Sequence, residues 1–164
     1  MEPRQRLRCT SFNQDRSCVA VGSSRGYEIY STSPFASCHR CVDAGVSVVE
    51  MLHCSSLIAL VGAGEQPGES PRRLRLWNTR TDASICELNF SSAVLGVRMS
   101  RTRLIAALES RVHVFDLSSM RLLHTLETAP NAHGLAGLSV DDKPCHAAVL
   151  APTVGEVARA RLSL

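Results

Sequence analysis

The chain has 164 residues, 45% of them hydrophobic, which is enough for one globular domain with a hydrophobic core. No run approaches the ~20 consecutive apolar residues of a membrane span, and no apolar stretch follows the basic N-terminus as in a secretory signal, so a cytoplasmic protein is predicted. A net charge of +3 permits an anionic partner without requiring one, and seven cysteines scattered through strand-like segments favour reduced thiols over a disulfide framework.

Short apolar runs bounded by turn-forming residues predict β-strands, because each run is too short for a helix. The first group of predicted strands covers residues 9–12, 18–22, 27–30 and 35–41. The second covers residues 46–52, 57–61, 74–77 and 85–90, with a loop rich in Gly and Pro at residues 62–71. The third covers residues 94–97, 104–108, 112–115 and 122–126. The last covers residues 135–140, 146–150 and 156–162, where one or two helical turns are the alternative for the final segment.

The four groups repeat one layout. Their second strands centre near Ala20, Ala59, Ala106 and Ala148, at spacings of about 39, 47 and 42 residues, and WD-type propeller blades repeat at ~40–45 residues. The sequence therefore predicts an all-β fold, a partial β-propeller of about three and a half four-stranded antiparallel WD-like blades. The blades are expected at about residues 9–42, 46–91, 93–128 and 134–164, the last incomplete, after a flexible N-terminus at residues 1–8.

One cysteine pair and a downstream His-Cys pair raise the alternative of a metal- or redox-active protein. Cys38 and Cys41 form a C-x-x-C pattern, and His53 and Cys54 follow downstream. Structural zinc needs four converging ligands, whereas His53 and Cys54 are adjacent and supply at most one good ligand from their strand. A reactive thiol would need a feature such as a helix N-terminus to lower its pKa, and the sequence predicts none there. We therefore predict neither a metal nor a cofactor.

Catalysis and nucleic-acid binding are also disfavoured. A hydrolase could draw on Ser139, His133 and Asp141, but no nucleophile elbow or oxyanion loop accompanies them. The loop at residues 62–71 lacks the Gly-Lys-Ser/Thr ending of a phosphate-binding loop and precedes a strand. The arginines are dispersed, and aromatic residues for base stacking are few. The prediction is a binding module rather than an enzyme, with no nucleic acid among its partners.

Five segments carry a resemblance to a known family: Phe12-Asn13-Gln14-Asp15, Gly26-Tyr27-Glu28-Ile29-Tyr30, Ser70-Pro71-Arg72-Arg73-Leu74, Arg101-Thr102-Arg103-Leu104-Ile105 and His124-Thr125-Leu126-Glu127-Thr128. They resemble the PROPPIN family, which are phosphoinositide-binding propellers of autophagy. The resemblance implies seven blades and two sites for phosphatidylinositol 3-phosphate or the 3,5-bisphosphate, built around a Phe/Leu-Arg-Arg-Gly motif. That motif is absent, because Arg72-Arg73 is followed by Leu74. The implied function is a phosphoinositide-effector scaffold of autophagosome formation whose lipid sites are lost or lie beyond this sequence. The alternative is a protein-interaction module without lipid binding.

The resemblance also implies a protein-binding surface at Pro71, Arg72 and Arg73, used in the family by a lipid-transfer partner of autophagy. Proteins of the autophagy conjugation machinery are further implied partners. Arg101 and Arg103 flank a turn that forms a second basic patch for an acidic partner segment, and a merely solvated turn is the alternative for both patches. Membranes that contain phosphoinositides are expected as partners only if the missing blades are present. Peripheral location on preautophagosomal or endosomal and vacuolar membranes is then implied.

An incomplete propeller leaves sheet edges and apolar blade faces without neighbours. Such surfaces favour pairing with other chains or aggregation. We therefore expect poor solubility or self-association through open blade edges. The expected origin of the sequence is a partial gene model, a splice product or a duplicated gene fragment.

Overall fold

A computed structural model describes residues 5–141 and 143–162. Every regular element in these two ranges is a β-strand, and they contain no helix long and apolar enough to cross a membrane. The strands form four antiparallel sheets, each paired in chain order. The chain divides into two compact units, Met1–Ser91 and Ser92–Leu164.

The first unit contains two four-stranded sheets. Sheet 1 consists of β1 (Leu7–Phe12), β2 (Cys18–Ser23), β3 (Gly26–Thr32) and β4 (Phe35–Cys41). Sheet 2 consists of β5 (Val46–Met51), β6 (Leu57–Gly62), β7 (Arg73–Asn78) and β8 (Ala83–Asn89). Sequence alternation determines which face is buried, since Leu74 and Leu76 of β7 are buried while the alternating Arg73 and Arg75 are half-buried.

One apolar cluster joins the two sheets of this unit. It includes Ala20 and Ile29 from sheet 1 and Val49, Ile58 and Leu60 from sheet 2, all at most 5% exposed. Burial of an Ile or Leu side chain contributes about 1.5–3 kcal/mol, so this cluster is the main force that stacks the sheets face to face.

A hydrogen-bonded turn adds a polar connection between the same two sheets. Asn13, which is 2% exposed, donates from Nδ2 to the His53 carbonyl oxygen at 3.3 Å. Gln14 donates from Nε2 to the Met51 carbonyl oxygen at 2.9 Å and accepts from the His53 N–H at 2.5 Å. The two amide side chains thereby satisfy backbone groups of the turn that follows β5.

The second unit contains one four-stranded and one three-stranded sheet. Sheet 3 consists of β9 (Gly96–Met99), β10 (Arg103–Ala107), β11 (Arg111–Asp116) and β12 (Leu122–Glu127). Sheet 4 consists of β13 (Ala136–Leu138), β14 (Cys145–Leu150) and β15 (Val157–Leu162). A second apolar cluster joins them, with Ile105 and Val114 from sheet 3 against Ala147 and Val149 from sheet 4.

The predicted all-β class and its four antiparallel meanders are confirmed, and the segment at 157–162 is a strand rather than helical turns. Two details differ from the sequence prediction. The first strand begins at Leu7 instead of residue 9, and the strand expected at 94–97 is Gly96–Met99. Leu7 and Arg8 thus belong to β1, whereas residues 1–4 of the predicted flexible segment and Asp142 of the predicted turn lie outside the described residues.

Candidate functional site

The loop between β6 and β7, residues 63–72, is held in place by one buried carboxylate. Glu69 is 3% exposed, and its Oε1 accepts a hydrogen bond from the Gly45 N–H at 2.6 Å. The Ala63 N–H donates to the Gly45 carbonyl oxygen at 2.9 Å, which fixes the start of the loop. Gly62 gives Glu69 its space, because a Cβ there would lie 2.5 Å from the backbone carbonyl carbon of Glu69. The loop therefore has a defined conformation although most of it is solvent-exposed.

Arg72 is the part of this loop that the fold presents to solvent. Its N–H donates to Ser70 Oγ at 3.3 Å, and its carbonyl oxygen accepts from the Phe90 N–H at 2.8 Å. The Arg72 side chain is exposed, next to the half-buried Pro71. Its guanidinium makes no ion pair with any residue in the described ranges 5–141 and 143–162. A fixed backbone thus carries a cation that is available to a partner.

The charges next to Arg72, in the loop and at the start of β7, are already engaged. Arg73 Nη1 lies 3.7 Å from Glu87 Oε2, and Arg73 Nε is buried without a hydrogen-bond partner in the part of the chain that the structure describes. Glu65 forms an ion pair with Arg8. Exposed pairs of this kind contribute less than about 1 kcal/mol, but they cancel the charges of their members. Arg72 therefore dominates the electrostatic character of the loop.

Arg101 and Arg103 lie in the second unit, and the structure separates their roles. Arg101 is exposed, whereas Arg103 is 2% exposed and its Nη1 contacts Asp116 Oδ2 at 3.3 Å. Hydrogen bonds from the Ser118 hydroxyl and from the N–H and hydroxyl of Ser119 lower the pKa of Asp116 to about 2, with a smaller contribution from the Arg103 charge. The interpretation of Arg103 as a surface contact is therefore corrected, because Arg103 is a buried ion-pair partner of its own sheet.

No sequence pattern indicates that Glu69 anchors the loop. Its carboxylate binds the backbone of Gly45, which is 24 residues away, and no local pattern distinguishes it from the exposed Glu65 nearby. A Glu between Gly68 and Ser70 in a polar loop is ordinarily solvated. Only the pairing of β5 with β6 brings Gly45 to it, so a spacing argument could not have found this contact.

One of the cysteines, Cys41, lines a small cavity in the first unit. All seven cysteines are free, burial raises the pKa of Cys41, and residues 5–141 and 143–162 contain no group of three His, Cys, Asp or Glu placed to hold a metal ion. A pocket of about 30 Å³ is lined by Cys41, Tyr27 and Trp77 among others, which is room for roughly one water molecule. Burial also raises the pKa of Tyr27, so its hydroxyl stays protonated and hydrogen-bonds His39 Nε2 at 3.1 Å.

Comparison of the sequence with known proteins identifies one family. The family model described as PROPPIN matches residues 6–159. Autophagy-related protein 18 of Yarrowia lipolytica is 52% identical over 129 residues, which are 79% of this chain and 32% of that protein. The chain thus spans about a third of the length of this curated relative.

Solved structures agree with this result. Hsv2 of Kluyveromyces marxianus superposes with a TM-score of 0.82 over 97% of this chain and 49% of that chain, at 17% identity, and so supports the fold alone. The complex of KlAtg21 with the coiled coil of AgAtg16 gives a TM-score of 0.73 at 31% identity, covering 88% of this chain and 47% of that chain. The propeller-type fold predicted from the sequence is confirmed.

Proposed function

The chain belongs to the PROPPIN family, and from this premise we propose that it is a non-enzymatic, autophagy-related scaffold that binds a protein partner through the loop at residues 63–72. The observation that supports this proposal is the exposed, unpaired Arg72 on a loop fixed by Glu69. The partner is an acidic protein segment, because a planar guanidinium forms two parallel hydrogen bonds with a carboxylate. The family resemblance points to a lipid-transfer protein of autophagy as the source of that segment.

Other partners and locations are secondary parts of the proposal. KlAtg21 is solved with a coiled coil of AgAtg16, which makes a coiled-coil protein of the conjugation machinery a second candidate partner. Exposed Arg101 is proposed as a contact for such a partner. We also propose a cytoplasmic chain that lies peripherally on preautophagosomal, endosomal or vacuolar membranes.

The test of the proposed loop is a charge reversal with a matched control. Arg72→Glu should weaken binding of a purified autophagy lipid-transfer protein by at least tenfold, because a new carboxylate would repel the acidic segment. Arg80→Glu is the control, since Arg80 is equally exposed in the turn between β7 and β8 and its guanidinium has no ion pair within the described residues. Equal binding by both variants and the unchanged chain would contradict the proposal.

A lipid assay separates the scaffold from a lipid effector. Flotation with vesicles that contain phosphatidylinositol 3-phosphate should recover no more of the chain than flotation with neutral vesicles. Equal recovery with both kinds of vesicle would indicate that this chain acts through protein contacts alone. Strong recovery that depends on the phosphoinositide would instead place a lipid site among these residues.

A further inference from the structure

Cys18 begins β2 on the face of sheet 1 that packs against sheet 2. Residues two apart in a strand point to the same side, and Ala20 is fully buried in the apolar cluster between the two sheets. Cys18 is half-buried and packs against the same cluster. Its thiol therefore points from sheet 1 toward sheet 2.

Cys54 brings a second thiol to this place from sheet 2. It is exposed in the turn between β5 and β6. Its Sγ lies 3.1 Å from Ser17 Oγ and accepts a hydrogen bond from Asn13 Nδ2 at 3.6 Å. The Oδ1 of the same Asn13 accepts the Cys18 N–H at 3.0 Å. One buried asparagine thus positions both cysteines.

The two thiols are also in direct contact. A hydrogen bond joins them, and the Ser17 hydroxyl hydrogen-bonds to Cys18 as well as to Cys54. Burial raises the pKa of Cys18, the Ser17 hydroxyl lowers it, and the neighbouring Cys54 raises it further. Cys18 is therefore the protonated, half-buried member of the pair, whereas Cys54 is the member that a reagent in solvent reaches.

We propose that Cys18 and Cys54 form a dithiol site that a low-molecular-weight disulfide, such as glutathione disulfide, oxidises to a disulfide bond between sheet 1 and sheet 2. The contacts with Asn13 and Ser17 support this inference, because they make closure of the bond an intramolecular step between groups already held together. Disulfides of reducing compartments are usually transient and redox-sensing, and a pair with one exposed member is accessible for such exchange. This inference goes beyond the proposed scaffold role and does not depend on it.

The reaction consists of two thiol–disulfide exchanges. Cys54 loses its proton to solvent, its sulfur bonds to one sulfur of glutathione disulfide, and the S–S bond of the reagent breaks to release one glutathione, which takes up a proton. Cys18 then loses its proton and bonds to Cys54 Sγ, which breaks the mixed disulfide and releases the second glutathione. The two cysteines lose two electrons in total, and glutathione disulfide gains them.

The bond would change the stability of the first unit. It links the start of β2 to the turn after β5 and so encloses β2, β3, β4 and β5 in one covalent loop. A disulfide stabilises a fold chiefly because it restricts the unfolded chain. The midpoint of thermal unfolding should therefore be roughly 5–15 °C higher in the oxidised chain than in the reduced chain.

The experiment places the 164-residue chain in buffers of increasing ratio of glutathione disulfide to glutathione, alkylates the remaining thiols and maps cross-links by mass spectrometry. Trypsin cleaves after arginine, so Cys18 lies in the peptide 17–25 and Cys38 in the peptide 26–40. A second protease that cleaves after Glu50 separates Cys54 from Cys41. The Cys18–Cys54 cross-link should be at least about tenfold more abundant than any other, because this pair is held in contact, and excess glutathione should reverse it.

Cys54→Ser is the test variant and Cys38→Ser its matched control, since both replace an exposed cysteine. Oxidation should leave the thermal midpoint of Cys54→Ser unchanged, whereas Cys38→Ser should form the cross-link and gain the same shift as the unchanged chain. Circular dichroism should show that both variants are folded. Absence of the Cys18–Cys54 cross-link at every glutathione ratio would overturn the proposal. So would a Cys18–Cys38 cross-link that predominates, or an equal thermal shift in oxidised Cys54→Ser.

Discussion

Asn13 offers the strongest test of how the two sheets of the first unit are joined. Its Oδ1 accepts the Cys18 N–H at 3.0 Å, and its Nδ2 contacts Ser17 Oγ at 3.0 Å and the His53 carbonyl oxygen at 3.3 Å. In Asn13→Ala the Cys18 N–H is left without its acceptor, which costs about 1–3 kcal/mol. Loss of the bond to His53 adds about 0.5–1.5 kcal/mol. We therefore expect the free energy of unfolding to fall by about 2–4 kcal/mol, a large part of the ~5–15 kcal/mol typical of a domain.

The assay is urea unfolding followed by circular dichroism, together with hydrogen exchange of the Cys18 amide. The midpoint of thermal unfolding should fall by roughly 4–16 °C, at 2–4 °C per kcal/mol for a chain of this size. Gln66→Ala, at an exposed loop position, is the control and should change stability by no more than about 0.5 kcal/mol.

A second substitution isolates the connection between the sheets. Asn13→Asp keeps the acceptor for the Cys18 N–H but places a carboxylate oxygen against the His53 carbonyl oxygen, so it should still destabilise by about 1 kcal/mol or more. The deficit should narrow as the pH falls, because a protonated carboxyl can donate to that oxygen. A loss below about 0.5 kcal/mol in Asn13→Ala, or a neutral Asn13→Asp, would refute the reasoning.

Three further predictions concern other parts of the fold. Because the pKa of Asp116 falls from its usual 3.8 to about 2 in the folded chain, its contribution to stability is complete above about pH 4 and should be lost as the pH falls from about 4 to about 2. In Asp116→Asn, denaturation at a series of pH values should show a flatter curve across that window. Glu69→Ala leaves a backbone donor unpaired and should cost about 1–3 kcal/mol in urea unfolding, whereas Glu69→Gln retains the acceptor and should cost less than about 1 kcal/mol. Gly134 has φ +62° and its Cβ would lie 2.4 Å from a backbone carbon, so Gly134→Ala should cost more than about 2 kcal/mol. Gly155→Ala, at φ +90° with open space around it, carries the backbone strain without the clash and should cost less.

The sequence predicts the fold well because sheet pairing here follows chain order. Alternating residues such as Leu74 and Leu76 determine which face is buried, and tight turns leave little choice of partner strand. The run His146 to Leu150 offers two adjacent alanines, and alternation alone cannot say which of them faces inward. The structure places Ala147 in the core, against Ile105 of the neighbouring sheet.

The candidate site was less predictable because residues distant in the sequence determine which of its arginines are ion-paired and which are exposed. Arg101 and Arg103 are equivalent in the pattern Arg-Thr-Arg, yet Arg103 begins β10, where Asp116 of β11 is directly opposite. Arg72 and Arg73 are adjacent, yet Arg73 begins β7 and lies within reach of Glu87 on β8. A carboxylate on the next strand, not a local pattern, decides which arginine is engaged.

The contrast between exposed and ion-paired arginines bears on the proposed binding of a partner. Arg72 and Arg101, which precede a strand, are exposed, whereas Arg73 and Arg103 at the starts of β7 and β10 are ion-paired. Arg72 is therefore presented by a backbone that is already ordered, with bonds to Ser70 and Phe90, and only its side chain loses freedom on binding. Immobilising one such side chain costs about 0.5–1.5 kcal/mol, less than a bidentate contact with a carboxylate can return. Ordering the loop itself would cost about 1–2 kcal/mol for each residue, so the Glu69 anchor favours the proposed recognition of Arg72 by a partner.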